Sequence, residues 1–388
     1  MQVIKFFFLI LFGKIKIIFN KPYQKNLIVF DDTSFNDLKY LLKDKDYFLL
    51  SVRSNMIKKI YINKKIILLV LKNYKKLNLY SNRIWTAYLV SLIQLIEPKL
   101  VITHIDNSLK FSDVSKFLQN KYNFLTIQNA ARYDLIIDNQ EKNLVKNLFI
   151  QNFCCFGQYE IDLYKKLKID VKKFHLVGSI RKSNFFHYLT EKKINVNKNL
   201  FKIGVLLEVP LNIAELNDNV KHFVTPVKYS IRFCLENNYK PIFIEKLSDI
   251  NYHLNLFGNF LSFKEKEFIK KNSIKRNFEN YSSYQGVFQS EVVVGIASTL
   301  LREKISSGEK ILSCNYSSSK TWDFPIKGIC QTKDENYETF SKVLSKILKL
   351  SNQEYLKQID SDISYVMCKE NDSSTIEKID NLIRKMSD

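Results

Sequence analysis

The chain has 388 residues, 46% hydrophobic and 13% aromatic, which is too long for one ordinary core and suggests two domains of roughly 180 residues. That composition excludes a disordered or low-complexity protein. The formal charge of +21 is spread along the chain rather than blocked; it suits phosphates or an anionic membrane, and without a helix-turn-helix, zinc-finger or ribonucleoprotein motif no nucleic acid partner is expected.

Residues 1–25 form a basic, apolar segment. Phe6–Phe12 is an unbroken apolar run, too short to span a bilayer and followed by no small-residue cleavage site. Lysines stand at 5, 14, 16, 21 and 25, and the first acid is Asp31. Such a segment suits peripheral attachment to the inner face of the plasma membrane, with a first buried element of the N-terminal domain as the alternative. Strands are then predicted at 26–30, 47–52 and 66–70, with a helix at 34–42. An apolar helix follows at 82–96, then a strand at 100–105, a helix at 111–119, and strands at 124–127, 152–156 and 175–177. The second series reads as strand 202–207, helix 222–236, strands 241–245 and 292–294, a helix from 298, strand 310–313 and a helix near 337–350. The alternation predicts right-handed βαβ crossovers and mostly parallel sheets. The polar stretch 191–199 divides the two series, giving an N-terminal domain of 26–190 and a C-terminal domain of 191–388.

Only nine glycines occur, far below average usage, so those that remain are expected where φ is positive or backbones approach closely. Gly178, Gly295 and Gly308 all fall at predicted element ends. The six cysteines (Cys154, Cys155, Cys234, Cys314, Cys330, Cys368) contain no C-x-x-C pair. Free thiols in a reducing cytoplasm are expected, without disulfides or zinc.

The most informative stretch is Glu291–Glu303. It reads as a buried strand, a turn at Gly295–Ala297 and a helix opening at Ser298-Thr299. Unpaired N–H groups and the positive end of the helix dipole favour an anion there, and Glu303, one turn on, can accept hydrogen bonds from a sugar diol. Ligands in open α/β sheets sit beyond the carboxyl ends of strands. In the first half those ends carry Asp31, His104, Asp106, Asn107, Gln128, Asn129 and Arg132; in the second, Glu208, Lys246, Ser298 and Thr299. Between them, Gly178-Ser179-Ile180-Arg181-Lys182 places two cations after a glycine turn. Carboxylates for a base, with cations and helix starts for a leaving pyrophosphate, are what phosphate and sugar chemistry needs. Asp106 serves equally well, on sequence grounds, as a cap for the following helix. Asp44-Lys-Asp46 and Asp360-Ser-Asp362 do not follow strands and read as solvated or helix-end residues rather than a metal site.

The segments Leu27–Asp32, Val101–Ser108, Thr126–Arg132, Val177–Arg181 and Gly295–Glu303, taken in order, resemble bacterial surface-carbohydrate (O-antigen or capsule) biosynthesis proteins. These are similar in turn to GT-B glycosyltransferases and CDP-glycerol glycerophosphotransferases. The resemblance implies two Rossmann-like domains facing a central cleft. It also implies transfer of a sugar or polyol phosphate from a nucleotide donor to a glycan or lipid-linked acceptor, with no metal and no cofactor beyond the nucleotide-sugar substrate. On that footing Ser298 and Thr299 hold the diphosphate, Glu303 the ribose, and Lys246 or Arg181 balances the leaving charge, with Glu208 beside them. Asp106 is the expected base and His104 its reserve, while Asp31, Asn107, Gln128, Asn129 and Arg132 face the acceptor. Two departures stand out: Ala130 occupies a position where the pattern has glycine, and Leu301 follows Leu300 where glycine is common. A nucleotide-sugar 2-epimerase and a non-catalytic pathway partner are the competing readings.

Overall fold

The computed structural model describes residues 15–53, 57–77, 83–132, 148–209, 216–245, 249–317, 319–370 and 374–387. The first half runs β1 (Lys16–Ile18), β2 (Leu27–Phe30), β3 (Tyr47–Leu50), β4 (Lys59–Tyr61), α1 (Lys64–Lys76), α2 (Arg83–Ile96) and β5 (Leu100–Thr103). It continues through α3 (Leu109–Leu118), β6 (Asn123–Ile127), β7 (Phe149–Cys155), α4 (Gln158–Lys166), β8 (Asp170–Leu176) and α5 (Ile180–Lys192). The second half begins with β9 (Phe201–Leu207), α6 (Leu216–Glu236), β10 (Pro241–Glu245), α7 (Ile250–Leu256), α8 (Phe263–Lys271), β11 (Ser273–Ile274), α9 (Ser282–Gln289) and β12 (Ser290–Gly295). It ends with α10 (Thr299–Ser306), β13 (Lys310–Cys314), β14 (Gln331–Thr332), α11 (Tyr337–Lys349), α12 (Asn352–Leu356) and α13 (Thr375–Ser387).

Two six-stranded parallel sheets result, ordered β3-β2-β5-β6-β7-β8 and β11-β10-β9-β12-β13-β14. This is the expected α/β arrangement of two Rossmann-like halves, the GT-B architecture. Period-2 alternation places successive β2 residues in different layers. Ile28 and Phe30 join a core with Val90, Ile93 and Phe111, while Leu27 and Val29 face Leu38, Leu41 and Ile180. The central strands are buried on both faces, which is why they read as continuous apolar runs.

One expectation is corrected. Residues 66–70 are not a strand: they lie in α1, capped by Asn63, whose side chain accepts from the N–H of Ile66 at 3.0 Å. The run is apolar on both the packed and the outward face, which hides its helical period. Residues 15–18 are built into the first half. Ile15 is buried with Ile57 and Ile60, and β1 pairs in parallel with β4; residues 1–14, with Lys5, Lys14 and the phenylalanine run, lie outside the described residues. α13 returns to the first sheet, where Ile379 and Ile383 complete the face made by Leu27, Val29, Leu100 and Ile102.

Candidate functional site

Each sheet reverses its strand order once, between β2 and β5 in the first and between β9 and β12 in the second. A crevice at the carboxyl ends is expected at such reversals. Asp31 and His104 to Asp106 stand at the first, Glu208 and Ile296 to Thr299 at the second.

At the second reversal Glu208 follows β9 directly and accepts hydrogen bonds from the backbone N–H of Ile296 and, at 3.2 Å, of Ala297. A Cβ on Gly295 would lie 2.8 Å from the Glu208 Oε2 and 2.9 Å from Leu206 Cδ1, so a larger residue would push these side chains aside. Part of the anion site predicted for this turn is therefore filled by the chain's own carboxylate. Ser298 caps α10, its Oγ accepting from the Leu300 N–H at 3.3 Å. The N–H groups of Ser298 and Thr299 have no hydrogen-bond partner among the described residues, and both residues are half-buried.

α10 also makes contacts between the halves. The Thr299 Oγ1 accepts from the N–H of Ala131 at 2.8 Å. Arg302, fully buried, donates to Glu160 Oε1 at 2.6 Å and to the Arg132 carbonyl at 2.9 Å, with its guanidinium 4.7 Å from the Tyr159 ring centre. Glu303, also fully buried, accepts from Ser179 Oγ and, at 2.9 Å, from the Tyr284 hydroxyl. Its Oε2 has no partner among the described residues. Burial pushes the Glu303 carboxyl upward, against the hydrogen bonds of Ser179 and Tyr284 and the charges of Arg181 and Lys182. Ser179 stands where it does because Gly178, with φ of 95°, turns the chain from β8 into α5.

In the first half the polar residues pair with one another. Asp106 accepts from Arg132 through both Oδ atoms (2.7 and 2.6 Å), from the Tyr164 hydroxyl at 3.1 Å and from the Asn129 N–H at 3.3 Å. A carboxylate so committed holds Arg132, Tyr164 and Asn129 in place. It does not cap α3; that cap is Ser108. Gln128 is structural: its amide donates to the Ala130 carbonyl (2.9 Å) and Glu160 (3.2 Å), and its oxygen accepts from the Phe156 N–H at 2.9 Å. Ala130 has no positive φ, so the turn does without the glycine. Asn107 is exposed. Lys246 lies outside the described residues.

Asp31 has a φ of 77°, an uncommon conformation for a non-glycine residue and a strained one. Its carboxylate accepts from the Thr33 N–H (3.0 Å) and hydroxyl (2.6 Å) and from Arg53 (3.0 Å). Arg181 donates twice to Asp37 (2.9 and 2.7 Å) and once to the Asn129 carbonyl at 2.9 Å. Burial alone would raise the Asp37 carboxyl, but His104 and Arg181 outweigh it and hold it well below the usual carboxylate range. The His104 Nδ1 lies 3.4 Å from Asp37. Burial depresses its pKa below 6.5, opposed by Asp37 and Asp106 and aided by Arg181. The folded state therefore favours neutral His104, so its contribution to stability is present above the ordinary histidine value and is lost as pH falls below it. The thermal midpoint of the wild type should drop more steeply between pH 7 and pH 5 than that of His104→Gln; equal slopes would contradict the burial argument.

Sequence reasoning did not single out Asp37, Glu160, Tyr164, Tyr284 or Arg302. Arg302 lay inside the key motif but carried only a helical signal. Glu160 gave none beyond a helix start.

No protein-family model and no curated sequence matches the chain. The fold, however, has clear counterparts among solved structures. A UDP-GlcNAc 2-epimerase from Methanocaldococcus jannaschii aligns at 12% identity with a TM-score of 0.54, covering 92% of this chain and 99% of that one. The wall teichoic acid polymerase TagF aligns at 12% identity and 0.54, covering 94% and 90%. A UDP-GlcNAc 2-epimerase from Neisseria meningitidis aligns at 11% and 0.53, covering 92% and 99%. The chain is thus similar in fold, over nearly its whole length, to two-domain proteins of the GT-B kind.

Proposed function

We propose that the chain is a GT-B glycosyltransferase that moves a sugar from a nucleotide-sugar donor to a surface polysaccharide or a lipid-linked glycan at the inner face of the plasma membrane. The observation that carries this reading is the start of α10. Two partnerless N–H groups, on Ser298 and Thr299, meet the positive end of a helix dipole where the two halves touch, and one turn on Glu303 keeps an oxygen without a partner. A diphosphate on the first and a ribose hydroxyl on the second satisfy both sets of groups. Arg181 lies close enough to Glu303 to act on its charge and is the cation assigned here to the leaving group. No metal is needed where a helix start and cations stabilise departing charge. With Asp106 committed to Arg132, His104 is the remaining base of the two expected, and burial lowers its pKa.

The 2-epimerase counterparts, aligned over 99% of their own chains, favour a second reading in which a nucleotide sugar is isomerised without an acceptor. Transfer of a polyol phosphate, the CDP-glycerol type of chemistry, is a third use of the same donor site. Thermal unfolding in the presence of UDP, CDP, GDP and their sugar conjugates tests the donor site, because a ligand of the native state alone raises stability by about 2.7 kcal/mol at a hundred times its Kd. One nucleotide series should raise the midpoint. No shift with any of them would refute a donor site, and C2 epimerisation of the stabilising sugar nucleotide without acceptor would select the second reading.

A further inference from the structure

We infer that the outward face of α1 is a docking surface for an anionic lipid bilayer. Ile66 and Asn73 turn inward, where the Asn73 amide donates to Ser91 Oγ and Gln94 Oε1, both at 2.9 Å on α2. The opposite side is apolar yet uncovered: Ile67, Leu68 and Leu71 are 49%, 57% and 57% exposed, and Tyr74 is 38% exposed. Residues 67, 71 and 74 follow an i, i+4, i+7 spacing, a stripe that normally faces a core. Lysines flank it at 64, 65, 72, 75 and 76. Beside the stripe, Arg83 lies 4.9 Å from the Tyr74 ring centre and Ile84, opening α2, is 64% exposed. The small β1–β4 sheet leads into the same region, since the Asn63 amide donates to the Asn20 carbonyl at 3.5 Å between the exposed Phe19 and Tyr23.

Charge selects the occupant. From Asp46 to Glu97 there is no acidic residue, against nine lysines and arginines. A second copy of this face would bring like charge against like, and nucleic acid would leave the aliphatic stripe in water. An anionic bilayer satisfies both halves of the pattern: lysines meet headgroups while Leu and Ile side chains enter the acyl boundary. The surface stands apart from the donor-site reading, because a nucleotide can fail to stabilise the second half while vesicles still bind the first, and the reverse.

Co-sedimentation of the full chain with vesicles of phosphatidylcholine alone, and with equal parts phosphatidylglycerol, tests this. Binding is expected to the anionic vesicles and to be about tenfold or more weaker to the neutral ones. High salt should weaken it only in part, because apolar insertion is not screened. Leu68→Gln/Leu71→Gln should lower partitioning by about tenfold, with the thermal midpoint kept. Phe263→Gln, at a site 78% exposed in the second half, should bind as the wild type does. Equal binding of the double variant and the wild type would overturn the proposal. So would indifference of the intact chain to anionic vesicles, or loss of duplex-DNA retention in the double variant while vesicle binding stays.

Discussion

Arg302→Met is expected to lower the free energy of unfolding by about 3–5 kcal/mol, the usual cost of removing one partner from a buried ion pair. Arg302 and Glu160 are both fully buried and 2.6 Å apart. Without the guanidinium, Glu160 keeps hydrogen bonds from Gln128 and the Gly157 N–H but loses its counter-charge, and the Arg132 carbonyl loses its donor. The penalty is that of an uncompensated charge, not the net worth of the pair. Glu160→Gln/Arg302→Met should therefore recover much of the loss, since swapping a buried pair for neutral groups of similar size is often nearly neutral. Urea titration of the three proteins reads this directly. A single variant within 1 kcal/mol of the wild type would mean that water reaches the pair.

Glu303→Ala is expected to weaken nucleotide binding by about 1–3 kcal/mol, roughly tenfold to a hundredfold, the scale of a charge-assisted hydrogen bond. The Oε2 without a partner is the acceptor at stake. The same carboxylate also ties Ser179 on α5 to Tyr284 on α9, so a control must separate binding from support. Ser179→Ala removes one of these hydrogen bonds while leaving the carboxylate, and its nucleotide affinity should match or exceed that of the wild type. Calorimetric titration of the two variants decides. Unchanged affinity in a folded Glu303→Ala protein would return Glu303 to holding the halves together.

The sheets were legible because buried parallel strands leave uninterrupted runs of Val, Ile and Leu, as at 100–102, 205–207 and 292–294. α10 was legible from Ser298 and the glycine turn before it. α1 was not, because the period of a helix vanishes when its outward face is also apolar; Leu68 and Leu71 imitate a core. The site was legible as a set of polar residues at strand ends, but not in its pairings. Nothing local shows that Asp106 is claimed by Arg132 and Tyr164, that Glu208 caps the turn of β12, or that Arg302 finds Glu160 across 142 residues of sequence. Such partners are fixed by how two sheets meet.

The return of α13 to the first sheet bears on how the chain is made. The face of Leu27, Val29, Leu100 and Ile102 lacks part of its cover until Ile379 and Ile383 have left the ribosome. At 5–20 residues per second, roughly ten to forty seconds separate the last strand of that sheet from the helix that seals it. During that interval the second sheet acquires its strands, while the first still presents an incompletely covered apolar face to chaperones. The half translated first is thus the half completed last.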